Sequence, residues 1–143
     1  MLTKKSKYGL KAMIYLASKE NLVHISELSG KENIPQKFLE TILLELKKHG
    51  LLESRRGPNG GYIMGKPASE ITFGQIIRIL DGPLAPIPCV SEMAYKRCDE
   101  CEDEATCLVR KTMKKVRDRT AYILDNTTLA QSFNLEEYEK SFL

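Results

Sequence analysis

The chain has no tryptophan and only two histidines. It also has no apolar run approaching the roughly 20 residues that a membrane-spanning helix requires. With His24 and His49 the only imidazoles, no Ser/His/Asp arrangement emerges, and both read as helix-end or surface residues. The one glycine-rich stretch, Gly57-Pro58-Asn59-Gly60-Gly61, lacks the lysine of a nucleotide-phosphate loop. A length of 143 residues excludes the large multi-lobed enzymes and fits one ordinary domain, or one small domain plus an appendage. The opening Met1-Leu2-Thr3-Lys4-Lys5 leads into an amphipathic segment rather than a secretory leader, so a cytoplasmic protein is expected.

What is present is a globular balance, 42% hydrophobic and 29% charged. The net charge of +3 conceals an asymmetry. Residues 1–66 hold 12 Lys/Arg against 6 Asp/Glu, whereas residues 67–143 hold 10 against 13. A basic front half suits a polyanion, because each phosphate neutralised releases counterions.

Periodicity divides the chain further. Leu10, Met13, Ile14 and Ala17 form one apolar face of a helix over 4–20, which Gly9 weakens. A short second helix is expected over 24–31, with Gly30 as its stop signal. A third opens at Pro35, carries a Leu39, Ile42, Leu43, Leu46 stripe and stops at Gly50. Two short strand-like runs, 51–56 and 62–64, flank the Gly/Pro/Asn tip and predict a hairpin. A further helix over 71–80 ends at Asp81-Gly82-Pro83. Residues 82–101 are irregular and proline-rich, long enough to imply a function or a ligand. From about Asp103 to Asn126 one long helix is expected. Its apolar positions Ala105, Val109, Met113, Val116, Thr120 and Ile123 average close to 3.5 residues apart, the seam of a helix paired with another. The acidic residues 102–104 fall at its predicted N-terminus, where the helix dipole favours them. A short amphipathic tail over 128–142 follows.

Helix, helix, turn, helix and hairpin is the order of a winged helix-turn-helix, so the expected class is mainly α with a long C-terminal dimerisation helix. The third helix would enter the major groove of duplex DNA. On its outer face Gln36 and Thr41 can hydrogen-bond base edges, Glu40 can accept from cytosine N4, and Lys37 can reach guanine or phosphate. The hairpin brings Arg55 and Arg56 to a tip where Gly57 and Asn59 let the backbone approach the sugar–phosphate chain.

Taken together, Lys7-Tyr8-Gly9-Leu10-Lys11-Ala12-Met13, Ile34-Pro35, Phe38-Leu39-Glu40, Leu43 to Leu51, the wing Arg55-Arg56-Gly57-Pro58-Asn59-Gly60-Gly61-Tyr62, and Ile71-Thr72 to Asp81 resemble the IscR/NsrR/CymR-type regulators, the Rrf-two family of dimeric bacterial transcription factors. The resemblance covers nearly the whole chain, and the wing is its most specific part. It implies that Gln36, Lys37, Glu40 and Thr41 read an operator, that Arg56 inserts at the minor groove, and that 103–126 is the dimerisation helix. The implied divisions are a DNA-binding domain over 1–82, a sensor loop over 83–102, and a dimerisation helix with tail over 103–143. No membrane partner is expected.

All four cysteines, Cys89, Cys98, Cys101 and Cys107, lie within 19 residues. Without a secretory leader, such a cluster points to metal or redox chemistry more than to structural disulfides. Many relatives hold an iron–sulfur cluster on three cysteines just before the long helix. By resemblance Cys89, Cys101 and Cys107 match these, while Cys98 is extra. Some relatives add a histidine three residues after the last cysteine, where this chain has Arg110. Others add an acid from the partner's first helix, where this chain has Lys7. A four-cysteine site is therefore expected, with three cysteines plus an exchangeable or partner-derived ligand as the alternative. It would hold a 2Fe–2S cluster in preference to 4Fe–4S, with zinc, free thiols or a redox disulfide as the other readings. The implied function is a repressor sensing redox state, nitric oxide or iron–sulfur supply. Two rivals remain at this point: a protein-interaction module stabilised by zinc, and a thiol redox enzyme using Cys98 and Cys101.

Overall fold

A computed structural model describes residues 2–142 of the chain. Helix α1 spans Lys4–Ala17, α2 Ile25–Glu32 and α3 Gln36–Lys48; strands β1, Leu52–Arg55, and β2, Gly61–Met64, follow; then come α4, Phe73–Asp81, α5, Leu108–Asp125, and α6, Leu135–Glu139. Short 3-10 turns interrupt the connections at Ala68–Glu70, Pro88–Val90, Glu104–Thr106 and Leu129–Phe133. This is the mainly helical winged helix-turn-helix expected from the sequence.

Local chemistry sets each boundary. Thr3 caps α1 by accepting the Ser6 N–H, and His24 caps α2 through its ring nitrogen. Helix α2 runs past Gly30 to Glu32 and is ended by Asn33, which adopts a left-handed conformation at φ 56°. Asparagine tolerates that region better than most residues, so the stop signal lies three residues beyond the glycine. Pro35 sits one position before α3 and accepts the Leu39 N–H on its carbonyl at 2.9 Å. At α4, Thr72 and Gln75 exchange hydrogen bonds in a reciprocal cap.

The apolar faces converge on one core. Leu10, Met13 and Leu16 of α1, Leu39, Ile42, Leu43 and Leu46 of α3, and Ile76, Ile77 and Leu80 of α4 are all buried in it. Each such side chain contributes roughly 1.5–3 kcal/mol on burial. Gly9 is a packing device rather than a weakness: a Cβ there would stand 2.3 Å from Leu80 Cδ1, so its absence lets α1 and α4 touch. The β1–β2 hairpin is antiparallel, pairing Leu52 with Met64 and Arg55 with Gly61. Val23 joins it by exchanging main-chain hydrogen bonds with Tyr62 at 2.8 and 2.9 Å, which fixes the wing to the front of α2.

The rear of the chain departs from the expected single rod. Helix α5 begins at Leu108, not near Asp103. Residues 103–106 instead form a separate turn capped by the Asp103 side chain. The acidic run therefore lies outside the helix, and the Cys107 sulfur takes the capping role, accepting the Arg110 N–H at 3.4 Å. After α5 the chain turns back: the Leu129 N–H bonds Ile71 O at 3.0 Å, and Leu129 is fully buried in the front core.

Candidate nucleic-acid interface and cysteine loop

About two helical turns of apolar contact hold α3 by one side only. Leu39, Ile42, Leu43 and Leu46 are buried, while Gln36, Lys37, Glu40 and Thr41 are all exposed on the opposite face. The α2–α3 turn is rigid: Ile34 is buried, its N–H bonds Ser29 O, and its carbonyl accepts the Ser29 hydroxyl at 2.6 Å. The angle at which α3 is presented is thus set by the core. Thr41 donates its hydroxyl to Lys37 O at 3.3 Å, so it faces outward chiefly as an acceptor.

Beside this face the wing projects Arg55, Arg56, Gly57 and Asn59, all exposed. Gly57 has a φ of 102°, a conformation that disfavours any side chain. Gly60 closes the tip by donating to Gly57 O at 2.9 Å, and a Cβ on Gly60 would stand 2.2 Å from Arg55 O. None of Lys37, Arg55 and Arg56 is drawn into an ion pair among the described residues, so their charge is available to a polyanion. Burial, with the Glu40 carboxylate adding to it, pushes the Tyr62 phenol above its ordinary pKa. The structure therefore leaves all eight expected contact residues exposed, four on α3 and four on the wing.

The cysteine loop is ordered by its own chemistry. Cys89 is 7% exposed, within the Pro88–Val90 turn; Cys98 is exposed; Cys101 and Cys107 are half-buried. The Cys101 N–H bonds Cys98 O at 3.1 Å, closing the Cys-x-x-Cys turn, and Arg97 donates to the carbonyls of Cys101 and Glu102 at 3.3 and 3.2 Å. Tyr95 donates its hydroxyl to Glu104, which also pairs with Arg110 at 3.7 Å. Partial burial pushes the Cys101 thiol up against the pull of Arg97, with Cys107, Glu104 and Cys98 adding to the rise. Those three cysteines thus feel one another electrostatically.

The four thiols are not preassembled. Among the described residues no three His, Cys, Asp or Glu side chains stand close enough to hold a metal ion. Thiolates repel one another and converge only around a cation, so binding and ordering of such a loop are coupled. The donor set itself suits an iron–sulfur cluster or zinc: soft sulfur ligands, one of them capping a helix N-terminus, on a loop with little core of its own.

Other functional groups have no sequence signal. Arg78 of α4 grips Asp125 of α5 through two hydrogen bonds of 2.5 and 2.9 Å, across 47 residues of chain. Arg117 of α5 donates to the Val90 carbonyl and pairs with Asp118 and Glu92. On α5, Met113 is half-buried, while Val109, Val116 and Ile123 are 64%, 45% and 38% exposed at seven-residue spacing. Of the six expected seam positions, Ala105 lies in the separate turn before α5, Met113 is half-buried, and Val109, Val116, Thr120 and Ile123 are exposed on α5. No helix is long and apolar enough to cross a membrane among the described residues.

Comparison with known proteins matches residues 2–134 to the family described as "Rrf2: Iron-dependent Transcriptional regulator". The chain is 40% identical over 134 residues to a putative HTH-type transcriptional regulator, rrf2-like, of Rhodobacter capsulatus, covering 90% of this chain and 89% of that one. It is 33% identical over 138 residues to the HTH-type transcriptional regulator IscR of Serratia proteamaculans, covering 95% and 80%. In structure it is similar to CymR, the global cysteine regulator of B. subtilis, with a TM-score of 0.76 and 32% identity over 96% of this chain and 97% of that one.

Proposed function

The chain belongs to the Rrf2 family of transcriptional regulators and is not an enzyme, and from that premise we propose that it acts in the cytoplasm as a dimeric, sequence-specific repressor with a cysteine-ligated iron–sulfur sensor. The observation that carries the DNA-binding part is the single exposed face made by α3 and the wing, with its cations unpaired. Gln36 and Thr41 meet base edges, Glu40 selects against or for a base through cytosine N4, and Lys37 meets guanine or phosphate. Arg55 and Arg56 enter the adjacent minor groove, with Gly57 and Asn59 giving the backbone close approach. Val109, Val116 and Ile123 pair with the same line on a second copy, which places two recognition helices on successive turns of a near-palindromic operator.

Cys89, Cys98, Cys101 and Cys107 would hold the cluster, 2Fe–2S in preference to 4Fe–4S. Such a group, when bound, supplies a redox- and nitric-oxide-sensitive centre whose loss changes what the loop can hold in place. The protein's part is to carry loop order into operator affinity. Cys107 is itself the cap of α5, so its engagement or release alters the start of that helix. Arg78 and Asp125 tie the other end of α5 to the DNA-binding core. A useful switch needs a coupling of roughly 1–3 kcal/mol.

Anisotropy titrations of operator duplexes at several salt concentrations test the first part. A steep salt slope is expected. Arg56→Glu should weaken binding to every duplex, and Gln36→Ala should relax preference at particular bases by roughly 1–3 kcal/mol. If neither variant alters binding, the docking is wrong. Anaerobic purification with an absorption spectrum and iron and sulfide counts tests the second part. Colourless protein with one zinc per chain, which the Cys98–Cys101 turn would accept equally well, replaces the iron assignment with zinc.

A further inference from the structure

Cys89 and Val90 are buried, yet neither belongs to the main hydrophobic core. They lie in a proline-rich stretch whose own hydrogen bonds are few. Val90 N–H to Ile87 O, Ser91 N–H to Pro88 O and Lys96 N–H to Pro88 O, each at 3.2 Å, give the turn its shape but do not attach it to anything. Attachment comes from α5. The Arg117 side chain is only 13% exposed, and its guanidinium donates to the Val90 carbonyl, immediately after Cys89. The same group pairs with Glu92 at 3.6 Å and with Asp118 on its own helix. A planar fork holding residues 90 and 92 at once fixes both the place and the direction of the turn, which a single lysine ammonium could not do. Cys107 is fixed to the same helix as its N-cap.

We infer that Arg117 is the positioning residue for Cys89: it pins the Pro88–Val90 turn to α5 and so sets where the first cysteine of the loop stands relative to the last. The consequence for a bound cluster rests on the sensor proposed above; the positioning itself does not.

The test uses full-length, reduced, metal-free protein and follows iodoacetamide labelling of each cysteine by peptide mass spectrometry. Losing a charge-assisted hydrogen bond to a buried turn should raise its opening by roughly tenfold. Arg117→Met should therefore speed alkylation of Cys89 by about that factor and leave exposed Cys98 unchanged, while circular dichroism shows the helices intact. Arg117→Lys, which keeps the charge but not the fork, should fall between. Should Arg117→Met fail to fold, the lysine variant decides alone, and Cys89 labelling equal to wild type overturns the proposal. Anaerobically loaded protein gives the second readout. Faster Cys89 labelling with a shifted cluster spectrum supports both the positioning and Cys89 ligation. Faster labelling with an unshifted spectrum keeps Arg117 in its role and removes Cys89 from the ligand set.

Discussion

Single residues carry the DNA-facing geometry in two ways, by filling the core beneath α3 and by leaving space at the wing tip. Leu43 is fully buried, so Leu43→Ala should cost about 2–5 kcal/mol in urea unfolding, through lost burial and the cavity left behind. At Gly60 the opposite holds: an added methyl would meet Arg55 O at 2.2 Å, and main chain cannot step aside as a side chain can. Gly60→Ala should cost about 1–3 kcal/mol and weaken operator binding by displacing Arg55 and Arg56, measured by unfolding and by anisotropy together. The exposure of the eight residues proposed to meet DNA was legible in the sequence because a helix presents its outward face with a fixed period and a Gly/Pro/Asn tip implies a turn. The use made of Gly9 was not, since nothing in the local pattern says that Leu80 will lie against it.

Elements are joined by a few long-range polar contacts. Asp81, the last residue of α4, accepts from the Thr3 hydroxyl at 2.5 Å and from the Thr3 N–H at 3.3 Å, anchoring the start of α1. Burial alone would push its carboxyl up, but the Thr3 hydrogen bonds, aided by Lys5, outweigh it and hold the pKa below the ordinary carboxylate value. A carboxyl lowered in the folded state stabilises above its unfolded pKa, about 3.9, and that contribution disappears as pH falls through the folded value. Asp81→Asn should therefore be less stable than wild type in urea at pH 7, with the difference shrinking toward pH 2–3. At the other joint, the half-exposed Arg78–Asp125 pair should show a coupling of about 0.2–1 kcal/mol in a double-mutant cycle. Gly74→Ala, whose Cβ would fall 1.9 Å from Asp125 Oδ1, should abolish that coupling without touching either charge.

At the scale of the whole molecule, the front is a basic face on a well-filled core, and the rear is a helix with its apolar line uncovered. Val116→Glu places a charge in the middle of that line. Light scattering should show the proposed dimer shifting to monomer, with unchanged helical content by circular dichroism, because α5 contributes no buried residue to the core. Operator affinity should fall with the dimer, since one half-site gives up its linked partner. A protein that stays dimeric in this variant would place the contact on another face.

The sequence by itself determined the order of elements, the exposed face of α3, the wing and its arginines, and the crowding of four cysteines ahead of a long helix. All of these follow from spacing along the chain, which local backbone geometry converts directly into faces and turns. Only the tertiary structure decided that α5 starts at a cysteine cap, that Leu129 returns to the front core, and that Arg78 and Arg117 fasten α5 to α4 and to the Cys89 turn. Apart from the cysteine cap, those contacts join residues 27 to 58 positions apart. At such distances partners are chosen by how whole elements pack, and no local period records the choice.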